Sequence, residues 1–181
     1  MPYEPGDILL DEDTIRRRVA ELAAQICEDC AGRDLVVVGT LKGAVVFLAD
    51  LVRRFDMPVC LGFASARSYG DATQASGEVA LDLGLCGDVA GRDVLVVEDI
   101  VDTGRTLTAL VARLGELGCR SVMTCCLLDK PSRRLVAMSP DYIGFEIPDH
   151  FVVGYGLDYA ERYRNLPYVA VLRRKSAEQE G

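Results

Sequence analysis

The sequence has no excess of positive charge, no long apolar run and only one histidine, His150. With 20 Lys and Arg against 28 Asp and Glu, the formal net charge is −8, which argues against a protein that holds nucleic acid through a basic face. No run of about 18 apolar residues is present, so we expect no membrane span. The first residues contain neither a basic nor an apolar stretch, and we expect no secretory signal.

The seven cysteines do not form a disulfide framework or a zinc pattern. Their number is odd, and without a secretory context we expect reduced thiols in a cytoplasmic protein. Cys27 and Cys30 form a lone CxxC, whereas a zinc site would need a second pair. Cys125 and Cys126 are adjacent on a predicted strand, so their side chains should point to opposite faces.

The composition is that of a packed α/β domain. Half of the 181 residues are hydrophobic and 17 are glycine, which is ordinary for such a domain, and the length favours a single domain over residues 1–181. Residues 94–128 read as strand, helix and strand, which predicts a βαβ unit with a parallel pair.

At the start of the chain, residues 1–12 are interpreted as a short lead-in. A helix is predicted over residues 14–30 because apolar residues recur at helical spacing. Asp13 is expected to cap this helix, and Gly32 lies past its end.

Residues 94–108 contain the strongest functional pattern. An apolar strand ends at Glu98 and Asp99, and the segment Asp-Thr-Gly-Arg-Thr over 102–106 then leads into a helix. Backbone N–H groups and the helix dipole favour an anion at such a turn, so it suits a phosphate monoester. The two carboxylates suit a sugar diol, or a magnesium ion shared with the substrate. A solvated acidic loop that caps an ordinary helix fits the strand–turn–helix pattern equally well.

Two other loops have features of ligand-binding segments. Residues 66–77 are polar, small and bounded by glycine, and they lie between two predicted strands, which is typical of a lid. Lys42 stands between a strand and a helix, and fits either an exposed lysine or an ammonium over an anionic ligand. Walker A spacing is absent, so this is not the P-loop of a nucleoside-triphosphate site.

The segment Val-Val-Glu-Asp-Ile-Val-Asp-Thr-Gly-Arg-Thr-Leu, residues 96–107, resembles the phosphoribosyl-pyrophosphate (PRPP) signature of the type I phosphoribosyltransferases. Further stretches resemble the 6-oxopurine branch, the hypoxanthine-guanine phosphoribosyltransferases, including bacterial members: residues 41–43, 68–70, 127–131 and 151–159. The resemblance implies the fold of that family, an α/β architecture with a central, mostly parallel sheet flanked by helices, a small hood and a mobile lid loop.

The resemblance also implies how PRPP and magnesium would be held. The turn over 103–106 would bind the 5′-phosphate, and Glu98 and Asp99 would bind the ribose hydroxyls and Mg²⁺. Asp158 would help to hold a second Mg²⁺ near pyrophosphate. The pyrophosphate group itself would lie on Lys42, Gly43 and Arg164. The complete PRPP set is Glu98, Asp99, Asp102, Thr103, Gly104, Arg105 and Thr106, in which Arg105 replaces a residue that is often lysine in relatives.

On the purine side, Lys130 matches a lysine that donates to the purine O6, and Asp102 a residue proposed as the base at N7. Phe151 matches the aromatic that stacks on the purine, and Val152 the residue whose backbone meets its edge. The implied purine set is Lys130, Phe151, Val152 and Asp158, and the implied lid residues are Ser68 and Tyr69. Taken one at a time, Phe151 and Val152 fit a short core strand, and Lys130 fits an exposed strand end.

The expected activity is transfer of the phosphoribosyl group from PRPP to hypoxanthine or guanine, which gives IMP or GMP and releases pyrophosphate. A donor at Lys130 favours a 6-oxo base over a 6-amino base. A xanthine- or pyrimidine-preferring transferase and a non-catalytic regulator with the same fold are the alternatives. PRPP and the purine are the expected partners, with neither nucleic acid nor a membrane, and we expect a homodimer or homotetramer, as in the family.

Overall fold

The computed structural model describes residues 2–68 and 79–175. In this part the chain forms three α-helices and nine strands. In chain order they are β1 (Tyr3–Leu10), α1 (Glu12–Asp29), β2 (Leu35–Leu41), α2 (Val45–Val52), β3 (Cys60–Ser68), β4 (Val79–Leu85), β5 (Asp93–Val101), α3 (Arg105–Glu116), β6 (Ser121–Asp129), β7 (Tyr142–Glu146), β8 (Val152–Val153) and β9 (Val169–Arg174).

The larger sheet has six strands in the order β4-β3-β2-β5-β6-β7. Every neighbouring pair is parallel except β3 and β4, which form an antiparallel hairpin. The apolar runs of β2 and β5 are buried because helices cover both faces of the sheet. The predicted α/β class with a mostly parallel central sheet is confirmed.

Two hydrophobic cores lie on opposite faces of this sheet. Helices α1 and α2 contribute to one core, in which Phe47 and Leu22 are fully buried. Helix α3 contributes to the other through Leu107, Leu110 and Leu114. Cys125 belongs to the first core and Cys126 to the second, so the prediction that they point to opposite faces is confirmed.

A second, three-stranded sheet has the order β1-β9-β8 and is antiparallel. It matches the small hood that the family resemblance implied. The interpretation of residues 1–12 as a lead-in is wrong, because Tyr3 pairs with Arg174 at the other end of the described chain. A strand whose partner is so distant in sequence leaves little local pattern.

Helix α1 begins earlier than predicted. Asp11 caps it, because its Oδ1 accepts a hydrogen bond from the Thr14 backbone N at 2.7 Å. Asp13 lies in the first turn and pairs with Arg16, so its prediction as the cap is wrong. Both aspartates satisfy the composition rule for a helix start, and only the backbone conformation distinguishes them.

Within residues 2–68 and 79–175, the structure contains no helix that is long and apolar enough to cross a membrane. All seven cysteines are free thiols.

Candidate active site

Many of the predicted site residues lie at one edge of the larger sheet. Strands β2, β5 and β6 are parallel neighbours, so their carboxyl ends meet at this edge. Residues 41–43, 98–106 and 130 therefore come together although they are far apart in sequence. Ligands of open α/β sheets bind at such an edge, next to the carboxyl ends of the strands.

The turn before α3 forms a small cavity of about 90 Å³. Gly104 precedes the helix with φ of +82°, and a Cβ at this position would lie 2.9 Å from Cδ of Arg134, so the turn requires glycine. The Arg105 backbone N donates to Oγ1 of Thr103 at 3.4 Å. The cavity is lined by Glu98, Ile100, Val101, Asp102, Thr103, Gly104, Thr106 and Leu107.

Glu98 reaches this cavity from strand β5 and is buried. Its Oε2 accepts a hydrogen bond from Oγ1 of Thr40 at 2.6 Å. Its Oε1 is buried and has no hydrogen-bond partner among the described residues. Burial, and then the neighbouring charge of Asp99, raise the pKa of Glu98. The unpartnered oxygen marks a place where a ligand donor or a cation would fit.

Asp99 lies against the backbone of Gly43. A Cβ on Gly43 would overlap Oδ2 of Asp99, so only glycine fits there. Oδ1 accepts a hydrogen bond from the Ile100 backbone N at 2.9 Å. Burial raises the pKa of Asp99, Arg164 opposes this shift and Asp158 adds to it. The loop that follows β2 is thus fitted to the carboxylates at the end of β5.

The donors at this edge fit magnesium. Carboxylate oxygens are the ligands that Mg²⁺ prefers, and a nearby cation would favour the ionised forms of Glu98 and Asp99, whose pKa values are raised. Among the described residues, no three acidic, histidine or cysteine side chains cluster closely enough to hold a metal by themselves. The donor set therefore suits a Mg²⁺ that takes its remaining ligands from substrate and water.

The predicted pyrophosphate residues come together across two loops. A Cβ on Gly156 would overlap the Gly43 carbonyl, so the loop after β8 packs on the loop after β2. Nζ of Lys42 lies 2.9 Å from Oε2 of Glu161. Nη2 of Arg164 lies 2.7 Å from Oδ1 of Asp158. The peptide bond between Leu41 and Lys42 is cis.

The purine-side residues frame the same edge. Lys130 is buried, and its Nζ donates to the His150 carbonyl at 2.7 Å. Phe151 is 58 % exposed, so it is not a core residue, and its ring meets Tyr159 edge to face at a centroid distance of 6.0 Å. Val152 is buried in β8 and pairs with Val171. The exposed ring of Phe151 offers a face on which a planar base could stack.

Asp102 stands between the turn and the purine side. Its Oδ1 accepts a hydrogen bond from Nε of Arg133 at 3.0 Å, and its carbonyl accepts one from Nη1 of Arg134 at 2.8 Å. Arg134 also pairs with the buried carboxylate of Asp129. The geometry leaves Oδ2 of Asp102 available to a ligand, since no described residue hydrogen-bonds to it.

Four residues that support this site are not predicted from the sequence, namely Thr40, Arg133, Arg134 and Glu161. Thr40 carries no motif, and only the pairing of β2 with β5 brings it to Glu98. The pair Arg133-Arg134 follows Lys130 closely, and this position was the available signal. Of the predicted lid residues, Ser68 is the last residue of β3, and Tyr69 lies outside the described residues, as does most of the 66–77 segment.

Comparisons with known proteins agree with this fold. The model of the family described as Phosphoribosyl transferase domain matches residues 5–160. The chain is 44% identical over 173 residues to the hypoxanthine-guanine phosphoribosyltransferase of Bacillus subtilis, covering 96% of both. Among solved structures, a hypoxanthine-guanine phosphoribosyltransferase from Bacillus anthracis has a TM-score of 0.88 at 43% identity, with 94% of this chain and 99% of that chain covered.

Some relatives are longer proteins. The bifunctional protein TilS/HprT of Listeria innocua is 48% identical over 166 residues, which are 92% of this chain but only 26% of that protein. The chain therefore spans about a quarter of the length of these bifunctional relatives and nearly the full length of the Bacillus subtilis relative.

Proposed function

The chain belongs to the phosphoribosyltransferase family, and we propose that it is a hypoxanthine-guanine phosphoribosyltransferase of purine salvage. It transfers the 5-phosphoribosyl group from PRPP to a 6-oxopurine and gives IMP or GMP plus pyrophosphate. The observation that carries the proposal is one sheet edge at which a phosphate-sized turn, an acidic pair whose Glu98 is buried, and a buried lysine meet.

The first requirement of this reaction is to hold the ribose phosphate. The 103–106 turn offers backbone N–H groups, hydroxyls of Thr103 and Thr106, and the amino end of α3 to the 5′-phosphate. The unpartnered Oε1 of Glu98 supports a role in accepting a hydrogen bond from a ribose hydroxyl.

The second requirement is to stabilise the charge that develops on departing pyrophosphate. Lys42 and Arg164 are the cations on the proposed pyrophosphate side, and preorganised charge usually contributes more to catalysis than any other single effect. Glu98, Asp99 and Asp158 are proposed to hold Mg²⁺, which, when bound, neutralises phosphate charge. The proposed lid around Ser68 and Tyr69 would exclude water from the activated ribose.

The third requirement is a proton acceptor and a base selector. Asp102 is proposed to accept the proton, or a hydrogen bond, from the purine N7. Lys130 is proposed to donate to O6, and adenine would present a donor to this donor. The mismatch should cost about 1–3 kcal/mol, the usual penalty for a buried polar group without a partner. Phe151 and Val152 would then hold the base plane.

The test is steady-state release of pyrophosphate with PRPP, Mg²⁺ and each of hypoxanthine, guanine, xanthine and adenine. We expect turnover with hypoxanthine and guanine and little with adenine. A preference for xanthine would replace the substrate assignment, and no release with any base would favour a non-catalytic regulator. The phosphate-sized cavity and the acidic residues around it favour the enzyme.

Three features of the whole protein belong to the same proposal. We expect a homodimer or homotetramer, and partners limited to the small substrates. A cytoplasmic location is supported by seven free cysteines, because oxidising compartments favour disulfides. One domain over residues 1–181 stays a prediction.

A further inference from the structure

Glu161 contacts both of the cations proposed to bind pyrophosphate. Its Oε2 lies 2.9 Å from Nζ of Lys42 and 3.5 Å from Nη2 of Arg164. Lys42 comes from the loop after β2, and Arg164 from the segment after β8, so one carboxylate joins the two sides of the subsite. Nothing in the sequence motifs assigned a role to Glu161.

The backbone holds Glu161 in this place. Ala160 and Glu161 have φ of +52° and +63°, a region that L-residues seldom adopt. The Glu161 backbone N donates to Oδ2 of Asp158 at 2.8 Å. Tyr159 and Arg162 exchange backbone hydrogen bonds of 3.1 Å across the turn. The turn is therefore shaped to present the Glu161 side chain to the cations.

We propose that Glu161 is an internal counter-anion that occupies the pyrophosphate subsite and must be displaced when pyrophosphate, or the diphosphate of PRPP, binds. It is a positioning residue that acts through Lys42 and Arg164. This inference rests on the proposed function, because it needs those two residues to bind the diphosphate.

The charges around the subsite explain what displacement does. Lys42 and Arg164 supply two positive charges, whereas Asp158 and Glu161 supply two negative ones in direct contact with them. An incoming diphosphate competes with Glu161 for the same two donors and is also repelled by its charge. Glu161 thus lowers affinity for the leaving group and favours release of pyrophosphate after the reaction.

The variant Glu161→Gln tests the proposed competition. It removes the charge of the side chain and keeps its length and shape. We expect inorganic pyrophosphate, titrated by calorimetry with and without Mg²⁺, to bind about two- to fivefold more tightly, as exposed ion pairs are worth less than about 1 kcal/mol. The KM for PRPP should fall by a similar factor while the KM for hypoxanthine stays constant. Glu161→Asp, which retains the charge, should move the affinity back toward wild type.

Glu116→Gln is the matched control. Glu116 pairs with Arg113 on α3 and is 64% exposed, against 65% for Glu161, but it lies away from the site. This variant should leave pyrophosphate affinity unchanged.

Two results would overturn the inference. If the wild-type protein binds pyrophosphate and Glu161→Gln binds it equally or more weakly, Glu161 does not compete, and weaker binding only with Mg²⁺ would indicate a metal ligand instead. If the wild-type protein binds no pyrophosphate under either condition, both the subsite and the role of Glu161 fail.

Discussion

Strand β5 has a buried carboxylate at its first residue, Asp93, and an acidic pair, Glu98 and Asp99, near its carboxyl end. The surroundings of these carboxylates differ between the two ends. At the amino end, Asp93 accepts hydrogen bonds from Nε of Arg120 at 3.0 Å and from Oγ of Ser121 at 2.6 Å. The Arg120 hydrogen bonds are the main reason that the pKa of Asp93 falls to about 2. Beside it, Arg92 forms a second ion pair with Asp34.

At the carboxyl end, Glu98 and Asp99 form no ion pair with any described residue. Burial raises the pKa of both, and Glu98 keeps one oxygen without a partner. The cations of the nearby loops form ion pairs with other carboxylates. Lys42 pairs with Glu161, and Arg134 pairs with Asp129.

This difference between the two ends of β5 indicates that one end contributes to stability and the other to ligand binding. A carboxylate that is already paired stabilises the fold, whereas a buried carboxylate that lacks partners costs free energy until a ligand satisfies it. Substitutions at the amino end should therefore lower stability and leave kinetics intact, and substitutions at the carboxyl end should change kinetics without lowering stability.

The largest effect is expected from Asp102→Asn at the carboxyl end. An amide cannot take up the purine proton, but its oxygen can still accept the hydrogen bond of Arg133. We expect kcat to fall by about 10²–10⁴-fold, the usual contribution of a general base, with a modest rise in the KM for PRPP. Steady-state kinetics measure kcat and KM, and a thermal melt measures whether the variant loses stability. Unchanged turnover would remove the base role, and a large drop in Tm would make Asp102 a structural residue.

Lys130→Ala should act on specificity. Loss of the ammonium removes the donor to O6, so the preference for hypoxanthine over adenine in kcat/KM should shrink by about 1–3 kcal/mol, or about 5- to 150-fold. Lys130→Met retains most of the apolar stem and controls for lost packing. If both variants still discriminate against adenine, another group selects the 6-oxo base.

Local pattern in the sequence was sufficient for most of the central sheet. The apolar runs of β2, β5 and β6 predict strands directly, because parallel strands are buried on both faces and are therefore apolar along their whole length. Strand β1 was missed because its partner, β9, lies near the other end of the chain, and the cap of α1 was misplaced because Asp11 and Asp13 have the same chemistry.

For the site, the sequence predicted groups that are proposed to touch a ligand, but not the residues that hold those groups in place. The 98–106 motif is contiguous and could be recognised directly. Thr40, Arg133 and Glu161 reach the site through strand pairing and loop packing, which determine distances that no spacing along the chain encodes. Their roles follow only from the three-dimensional structure.

Asp93→Asn tests the amino end. The amide leaves Arg120 without a charged partner, and we expect the free energy of unfolding to fall by about 1.5–3 kcal/mol, the value of hydrogen bonds to charged groups. Urea denaturation measures this, and kcat and both KM values should stay constant. Asp34→Asn is the exposed counterpart and should cost at most about 1 kcal/mol. Altered kinetics in Asp93→Asn would mean that the two ends of β5 are coupled.

The smallest expected effect is the pH dependence that Glu98 and Asp99 impose on stability. Because their pKa values are raised on folding, the folded protein binds protons that the unfolded chain releases. Their contribution to stability is therefore greatest in acid and declines as pH rises from about 4 to about 8.

Glu98→Gln removes one of the two titrating groups while its amide oxygen can still accept from Thr40. The difference in Tm between pH 5 and about pH 8 should shrink by at least about 2–4 °C, the shift that 1 kcal/mol produces in a chain of this size. Mg²⁺ should raise the Tm of the wild-type protein at the higher pH more than that of the variant, whereas Glu116→Gln should behave like wild type. An unchanged pH dependence in Glu98→Gln would mean that Glu98 is not one of the groups whose pKa is raised on folding, and the contrast between the two ends of β5 would then rest on Asp99 alone.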